Sequence, residues 1–521
     1  MSETEVVETA RPVSRKETLS FVVILALAAL LRLYGLGNKS FWVDEIFAVE
    51  RSHSLRQAVA YCWWNHEPPL RYFLVHYLMR LHPPELATRL PSFLFGVATI
   101  GLLWHLVRHL FGVRAALVAA FLLAVSPWHI EQCQDARMYA VMMFLWTLSL
   151  VLFFGALENP GQPLWWPALA IVHGVNFNLS YLTVFVLGAE ALTFVGWLAV
   201  RKWREGNRFA LKPYALGALI FAGFFGPCVA FWFDPLLDVF GRYTGVRAVG
   251  VSAATRAMNA FVRVEWPAEF GMPFFISLLD RLLAAEMAWR ILALVGLSAG
   301  LVLCWRKSPV FVWIAALSFL LALVAIRFTS MRHFVAPRYV FHLLLFSIVA
   351  SAVAMVALAD AILSWAGPAK RRQAMVGLAV ASAAAMALYA PILIRQLRGE
   401  RQDWRSACRF LAENAKRDDL ILTGPWGTDQ AVRYYGRPVL TEHHKIKNVL
   451  TSDAPYREIQ NAAPGTTVWY VIWGYMPEDL LLALATAMTR AAELPGTAGA
   501  ISIYRGSGRK EAPAAEKRSG K

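Results

Sequence analysis

Residues 37–50 read GNKSFWVDEIFAVE and follow directly on the first long apolar run of the chain. Their position decides how the rest is read. An apolar run of membrane-spanning length that ends in Asp44 and Glu45 sets two adjacent carboxylates at a lipid–water boundary. Partial burial there can raise a carboxyl pKa and make a competent base. Taken alone, the pair suits an exposed acidic turn better, and it gains meaning only from what surrounds it.

Working outward, the 521 residues are 58% hydrophobic and only 17% charged, and several further runs approach the length of a span. That combination predicts a polytopic helical membrane protein. The first run ends in LLRLYGLG, without a small-residue cleavage site, and more spans follow, so it reads as a retained span and not as a signal peptide. The net charge of +16 sits in short clusters between apolar runs. Membrane-flanking charge is distributed in this way, and no nucleic-acid motif accompanies it. Cys62, Cys133, Cys228, Cys304 and Cys408 lack CxxC spacing. They signal neither a metal knuckle nor a disulfide framework, and a Cys62–Cys133 bond is left open.

Eleven spans are expected, at about 19–37, 91–111, 113–130, 137–157, 164–179, 181–201, 213–233, 287–305, 309–326, 338–365 and 373–394. An arm over 1–18 with Arg11, Arg15 and Lys16 places the N-terminus in the cytoplasm. Arg108–Arg114, Arg201–Lys212, Arg306–Lys307 and Lys370–Arg372 then fall inside. Arg327, Arg332 and Arg338 fall outside, against the charge rule, and an anionic ligand on that face is one cause. Residues 38–90 form a first outer loop of amphipathic helices punctuated by Pro68–Pro69 and Pro83–Pro84, and 234–286 form a second. From 395 the composition changes. QDWRSACRFLAENA and EDLLLALATAMTRAAEL read as helices, LILTG and TTVWYVIWGY as buried strands, giving a small extracytoplasmic α/β domain over 395–506. A basic tail, 507–521, reads as disordered.

Three outer-face segments carry chemistry: Asp44–Glu45, then NHEPPL with His66 and Glu67, then EQCQDARMY with Asp135, Arg137 and Tyr139. Carboxylates, a histidine and an arginine on one face can activate a hydroxyl and hold a phosphate. Each also has a plainer use, as a helix cap at Pro68 or a local ion pair at a span end. Arg332 and Arg338, with His333 and Tyr339 beside them, are candidates for a phosphate group.

The order SFWVDEIFAVE, HEPPLRYFLVHYL, RLPSFLFGVATIGLLWHLVRHLFG and LLAVSPWHIEQCQDARMYAVMMFLW resembles the membrane-embedded GT-C glycosyltransferases. Within them it is most similar to family 39, the protein O-mannosyltransferase and aminoarabinose lipid A transferase group. APRYVFHLLLFSIVAS resembles that family's later arginine–tyrosine segment, and the resemblance extends over about 19–365.

It implies an inverting transferase at the outer face of the cytoplasmic membrane, in the GT-C catalytic region 19–394. The donor would be a polyprenyl-phosphate monosaccharide and the acceptor a glycan, lipid A or protein. Asp44 matches the family's base and Glu45 its acidic neighbour. Asp135 stands where relatives carry glutamate, while Arg137 and Tyr139 match as they are. In the aminoarabinose branch the glutamate before Pro-Pro takes part in metal binding, which leaves Glu67 open as a ligand for a divalent metal, although no cofactor is implied by the residues themselves. A transporter or flippase for lipid-linked sugars and a scaffold subunit of envelope glycan assembly are the competing readings.

Overall fold

A computed structural model describes residues 14–162, 164–244, 272–283, 287–329, 336–424, 427–437, 440, 445–448, 458, 461–463, 465–473, 488–496 and 500–507. The chain is mostly helical, with a small C-terminal sheet. Its contacts gather into two compact units. One comprises the chain up to Tyr34, Val59–Arg71 and Arg89–Ile394. The other comprises Gly35–Ala58, Tyr72–Thr88 and the chain from Arg395 onward.

The first unit is a bundle of apolar helices. It contains α1 (Arg15–Leu33), most of α5 (Pro84–Phe111), α6 (Val113–Val125), α7 (Pro127–Cys133), α8 (Tyr139–Glu158), α9 (Trp165–Leu179), α10 (Val184–Glu205), α11 (Lys212–Thr244), α12 (Met272–Leu283), α13 (Met287–Lys307), α14 (Pro309–Thr329) and most of α15 (Leu343–Arg398). Helix α10 packs along α14, α9 lies between α8 and α11, and α1 lies on α6. Small residues set the closest approaches. A Cβ on Gly300 of α13 would stand 2.0 Å from the Ala350 carbonyl oxygen of α15, so only glycine fits there.

Among the described residues five helices are long and apolar enough to cross a membrane, or six if α6 and α7 count as one broken span. The chain is a multi-pass membrane protein, but these helices do not establish the expected count of eleven. One expected span is shaped differently from the expectation. The one at 113–130 is broken after Val125, with α6 and α7 bent by 62°. The expected spans at 338–365 and 373–394 lie on either side of a break within α15 at Gly367, where φ is +65°.

The break after α6 is fully accommodated. Ser126 and Pro127 start a new helix, since proline suits a first helical turn and the Ser126 hydroxyl accepts the His129 N–H at 3.4 Å. The last carbonyls of α6 are then met by side chains from other helices. Arg32 of α1, fully buried, donates to Leu123 O at 2.9 Å and to Ala124 O at 2.8 Å, and Tyr389 of α15 donates to Val125 O at 3.2 Å. Gln134, just past α7, returns the favour by donating to the Arg32 and Tyr34 carbonyls at the end of α1, at 3.1 and 2.8 Å. The two broken ends cap each other.

The second unit holds α2 (Val43–Arg51), the first turns of α3 (Leu55–Asn65), much of α4 (Leu70–Leu78) and the C-terminal domain. That domain has α16 (Trp404–Asn414), β1 (Leu420–Gly424), α17 (Thr428–Gly436), β2 (Lys445–Asn448), β3 (Thr467–Trp473), β4 (Met488–Leu494) and β5 (Ile501–Ser507). The sheet order is β2-β1-β3-β5-β4, parallel from β2 to β3 and antiparallel beyond. The helix at Trp404–Asn414 and the strands at Leu420 and Thr467 match expectation. The end of the expected helix through MTRAAEL is instead β4, an edge strand with a register shift between Arg490 and Ala492. Pairing with β5 overrides the helix preference of its alanines and glutamate. The tail beyond Ser507, and Arg247, Arg256 and Arg263 of the second outer loop, lie outside the described residues.

Replacing Arg32 by methionine should strip the Ala124 carbonyl of its side-chain donor and leave Leu123 O with only the Ser126 N–H at 3.4 Å. At about 1–3 kcal/mol for a buried unmet group the loss is at least of that size. Thermal unfolding of the detergent-purified protein should show a lowered midpoint, with Arg32→Lys in between because an ammonium serves the two carbonyls less well than a guanidinium fork.

Candidate functional site

In the second unit, Asp44 is the second residue of α2 and is partly buried. The first turn of a helix carries a partial positive charge, so a carboxylate is well placed there. Glu45 is fully buried, and its Oε2 accepts the Trp42 N–H at 3.2 Å. One of the two neighbouring acids therefore closes the start of the helix that carries the other.

In the first unit, α3 ends at Asn65 and His66 takes φ of +54°, the left-handed region that glycine or asparagine ordinarily fills. The following Glu67 N–H reaches back to Cys62 O at 3.1 Å, a six-residue closure of the helix end. The Tyr181 hydroxyl donates to His66 O at 2.6 Å. His66 thus closes the preceding helix, whereas the sequence suggested a cap for the following one. The Glu67 carboxylate accepts from the Tyr61 hydroxyl at 3.0 Å and pairs with Arg71. Among the described residues no group of three or more His, Cys, Asp or Glu side chains is arranged to hold a metal ion.

The segment after α7 folds tightly on itself. Asp135 is 1% exposed, and its Oδ1 accepts the Arg137 N–H at 3.0 Å, an aspartate turn of the kind this short side chain favours. The Ser92 hydroxyl donates to Arg137 O at 2.9 Å, and the Arg137 guanidinium lies 5.4 Å from the centre of the Tyr139 ring. Asp135, Arg137 and Tyr139 are therefore one local cluster.

A further arginine joins it that the sequence did not single out. Arg281 of α12 donates to Glu131 Oε2 of α7 at 3.0 Å and lies over the Trp128 ring at 5.9 Å. Helix α12 also packs against the short turn Pro337–Val340, where the Arg338 guanidinium lies 5.7 Å from the Tyr339 ring centre. Trp128 meets Phe341 edge to face at 5.0 Å. The α7 segment, α12 and the Arg338 turn are thus mutual neighbours, and this part of the first unit combines carboxylates with several guanidiniums. The only hint of Arg281 in the sequence was its place on the amphipathic run PFFISLLDRLL. Arg332 and His333 lie outside the described residues.

Residues 66–232 match the model of the dolichyl-phosphate-mannose-protein mannosyltransferase family. The mannosyltransferase-type protein YkcB of Bacillus subtilis (strain 168) is 30% identical over 105 residues, which span 20% of this chain and 14% of YkcB. The oligosaccharyltransferase AglB of Archaeoglobus fulgidus, solved with an inhibitory peptide and a dolichol-phosphate, superposes with a TM-score of 0.52 at 12% identity, covering 96% of this chain and 76% of AglB. ArnT of Cupriavidus metallidurans, solved with undecaprenyl phosphate, gives a TM-score of 0.49 at 16% identity, covering 93% of this chain and 97% of ArnT. At these identities the likeness to solved structures is one of fold. Over 66–232 the chain is thus similar to the dolichyl-phosphate-mannose-protein mannosyltransferases, and in fold it is similar to AglB.

Proposed function

We propose that the chain transfers a monosaccharide from a polyprenyl-phosphate donor to an acceptor at the outer face of the cytoplasmic membrane. The observation that carries this reading is the mannosyltransferase family match over 66–232, a stretch that holds His66, Glu67, Asp135, Arg137 and Tyr139. AglB binds a dolichol-phosphate in the same fold, which fits a lipid-phosphate donor.

In the reaction, the acceptor hydroxyl or amine attacks the anomeric carbon while the Asp44 carboxylate takes its proton. The bond from that carbon to the phosphate oxygen breaks, the electron pair leaves with the polyprenyl phosphate, and the configuration inverts. Arg137 and Arg338, with Tyr139 and Tyr339 beside them, receive the phosphate, and Arg332 is a further candidate. Arg281 belongs to the same neighbourhood and holds Glu131. Guanidiniums suit the task because they stay charged and present a planar fork of donors. Asp135 fixes the Arg137 main chain. His66 and Glu67 form a second pair for acceptor or metal contact. The domains serve this as a cytoplasmic arm over 1–18, a catalytic region over 19–394 and an extracytoplasmic domain over 395–506.

A carrier of lipid-linked sugars is the second reading. Two observations favour it: the broken helix at Ser126, and a buried His173–Glu190 pair inside α9 and α10, 2.7 Å apart, with the Ser149 hydroxyl donating to Glu190 at 2.8 Å. Movement of donor sugar across sealed vesicles without a transfer product would select it.

The purified protein, given a panel of undecaprenyl-phosphate mannose, glucose, galactose, arabinose-type and amino-sugar donors and envelope membranes from a deletion strain, should release undecaprenyl phosphate from one of them. Asp44→Asn should lower kcat by about 10²-fold or more while insertion and thermal stability are kept; full activity in that variant would remove Asp44 as base. His66→Gly separates ring from backbone. Glycine accepts the left-handed conformation, so stability should hold or rise by up to about 1 kcal/mol, and any fall in turnover then belongs to the imidazole.

A further inference from the structure

Four successive main-chain N–H groups lead into the helix that carries Asp44, and every one is donated to a side chain. Ser40 N–H goes to Glu400 Oε2 at 3.1 Å, Phe41 N–H to the Tyr435 hydroxyl at 2.6 Å, Trp42 N–H to Glu45 Oε2 at 3.2 Å, and Val43 N–H to Gln402 Oε1 at 3.0 Å. A helix start is ordinarily served by one capping side chain, with water meeting the rest. Here three of the four acceptors come from the C-terminal domain, 359 to 394 residues further along the chain.

Those acceptors are themselves fixed. Gln402 is fully buried, and its Oε1 also takes the Trp404 Nε1–H at 2.8 Å. The Tyr435 hydroxyl donates to Glu85 Oε1 at 3.2 Å, and Glu85 pairs with Arg405, whose Nη1 donates to Asn38 O at 2.7 Å. Burial, with Glu85 adding in the same direction, pushes the Tyr435 phenol up, so it keeps the proton it donates. The Arg401 guanidinium lies 3.8 Å from the centre of the Trp42 ring. Behind α2, a Cβ on Gly427 would stand 2.4 Å from Val43 Cγ1, so the domain backbone lies directly against the residue before Asp44.

We propose that Gln402 and Tyr435 are positioning residues for glycosyl transfer: the C-terminal domain fixes where the Asp44 helix begins and in which direction it runs. The inference rests on the reading of Asp44 as base. In this role the domain acts through the main chain and not as a reacting group. It holds the main chain at Phe41 and Val43, and so sets the Asp44 carboxylate one residue on. Displacing a reacting group by about 1 Å can cost roughly 10²-fold in rate, so loss of this grip should appear in kcat and leave the donor KM nearly unchanged.

Gln402→Met removes the acceptor at similar length, Gln402→Glu keeps an acceptor oxygen for Val43 and Trp404, and Tyr435→Phe removes a single hydroxyl. In the full-length, substrate-free protein, hydrogen exchange of the peptide over 37–51 should quicken by about tenfold or more in Gln402→Met and Tyr435→Phe, as expected when a bonded amide is released. With the donor that the wild-type protein uses from the panel, kcat should fall by about 10- to 100-fold at near-constant KM, and Gln402→Glu should recover most of it. Unchanged exchange in both variants overturns the proposal, and so does a loss of kcat that Gln402→Glu shares. Asp44→Asn assayed in parallel separates the two ideas. If it keeps wild-type kcat the base assignment fails, while the exchange result still decides whether the domain holds the helix.

Discussion

The carbonyls of Leu123, Ala124 and Val125 set the terms for the first unit. At the end of a helix buried among apolar helices they have no water to turn to, and a bare carbonyl there costs more than most packing contacts return. Arg32 and Tyr389 meet all three. With those partners the chain can turn by 62° inside the bundle and begin again at Pro127. Without the turn, Glu131, Asp135 and Arg137 would continue along one straight rod, and α12 would have nothing at that level to hold.

The same accounting applies to the second unit with the polarity reversed, since there it is donors that need partners. A helix start at Val43 leaves N–H groups unmet, and the solution is distributed across the sequence, with Glu45 from within and Glu400, Gln402 and Tyr435 from afar. Glu45 illustrates why adjacent acids need not share a task. Complete burial and a main-chain bond fit it for holding the helix, while Asp44 beside it is only partly covered.

Much of this was legible from pattern. Apolar runs gave their helices because hydropathy and length act locally, and the β-branched and aromatic stretches around Ile421 and Val471 became buried strands for the same reason. The order of acidic and basic segments through Tyr139 was enough to suggest the family. What pattern could not show depends on partners distant in sequence. Met488–Leu494 looks helical alone and is a strand because Ile501–Ser507 pairs with it. Arg32 looks like ordinary span-end charge and is fully buried. His66 reads as a catalytic or capping side chain, and its left-handed backbone became visible only in three dimensions. Arg281 gained its place through contact with Glu131, 150 residues away.

The long sequence separation between Val43 and its acceptors also has a temporal meaning. A ribosome that has just delivered residues 40–51 to the membrane has yet to translate Gln402 and Tyr435, and synthesis proceeds at only about 5–20 residues per second. Until then Asp44 rides on a helix whose start is held by Glu45 alone, from within. The N–H groups of Ser40, Phe41 and Val43 are thus among the earliest made in the chain and among the latest to meet their acceptors.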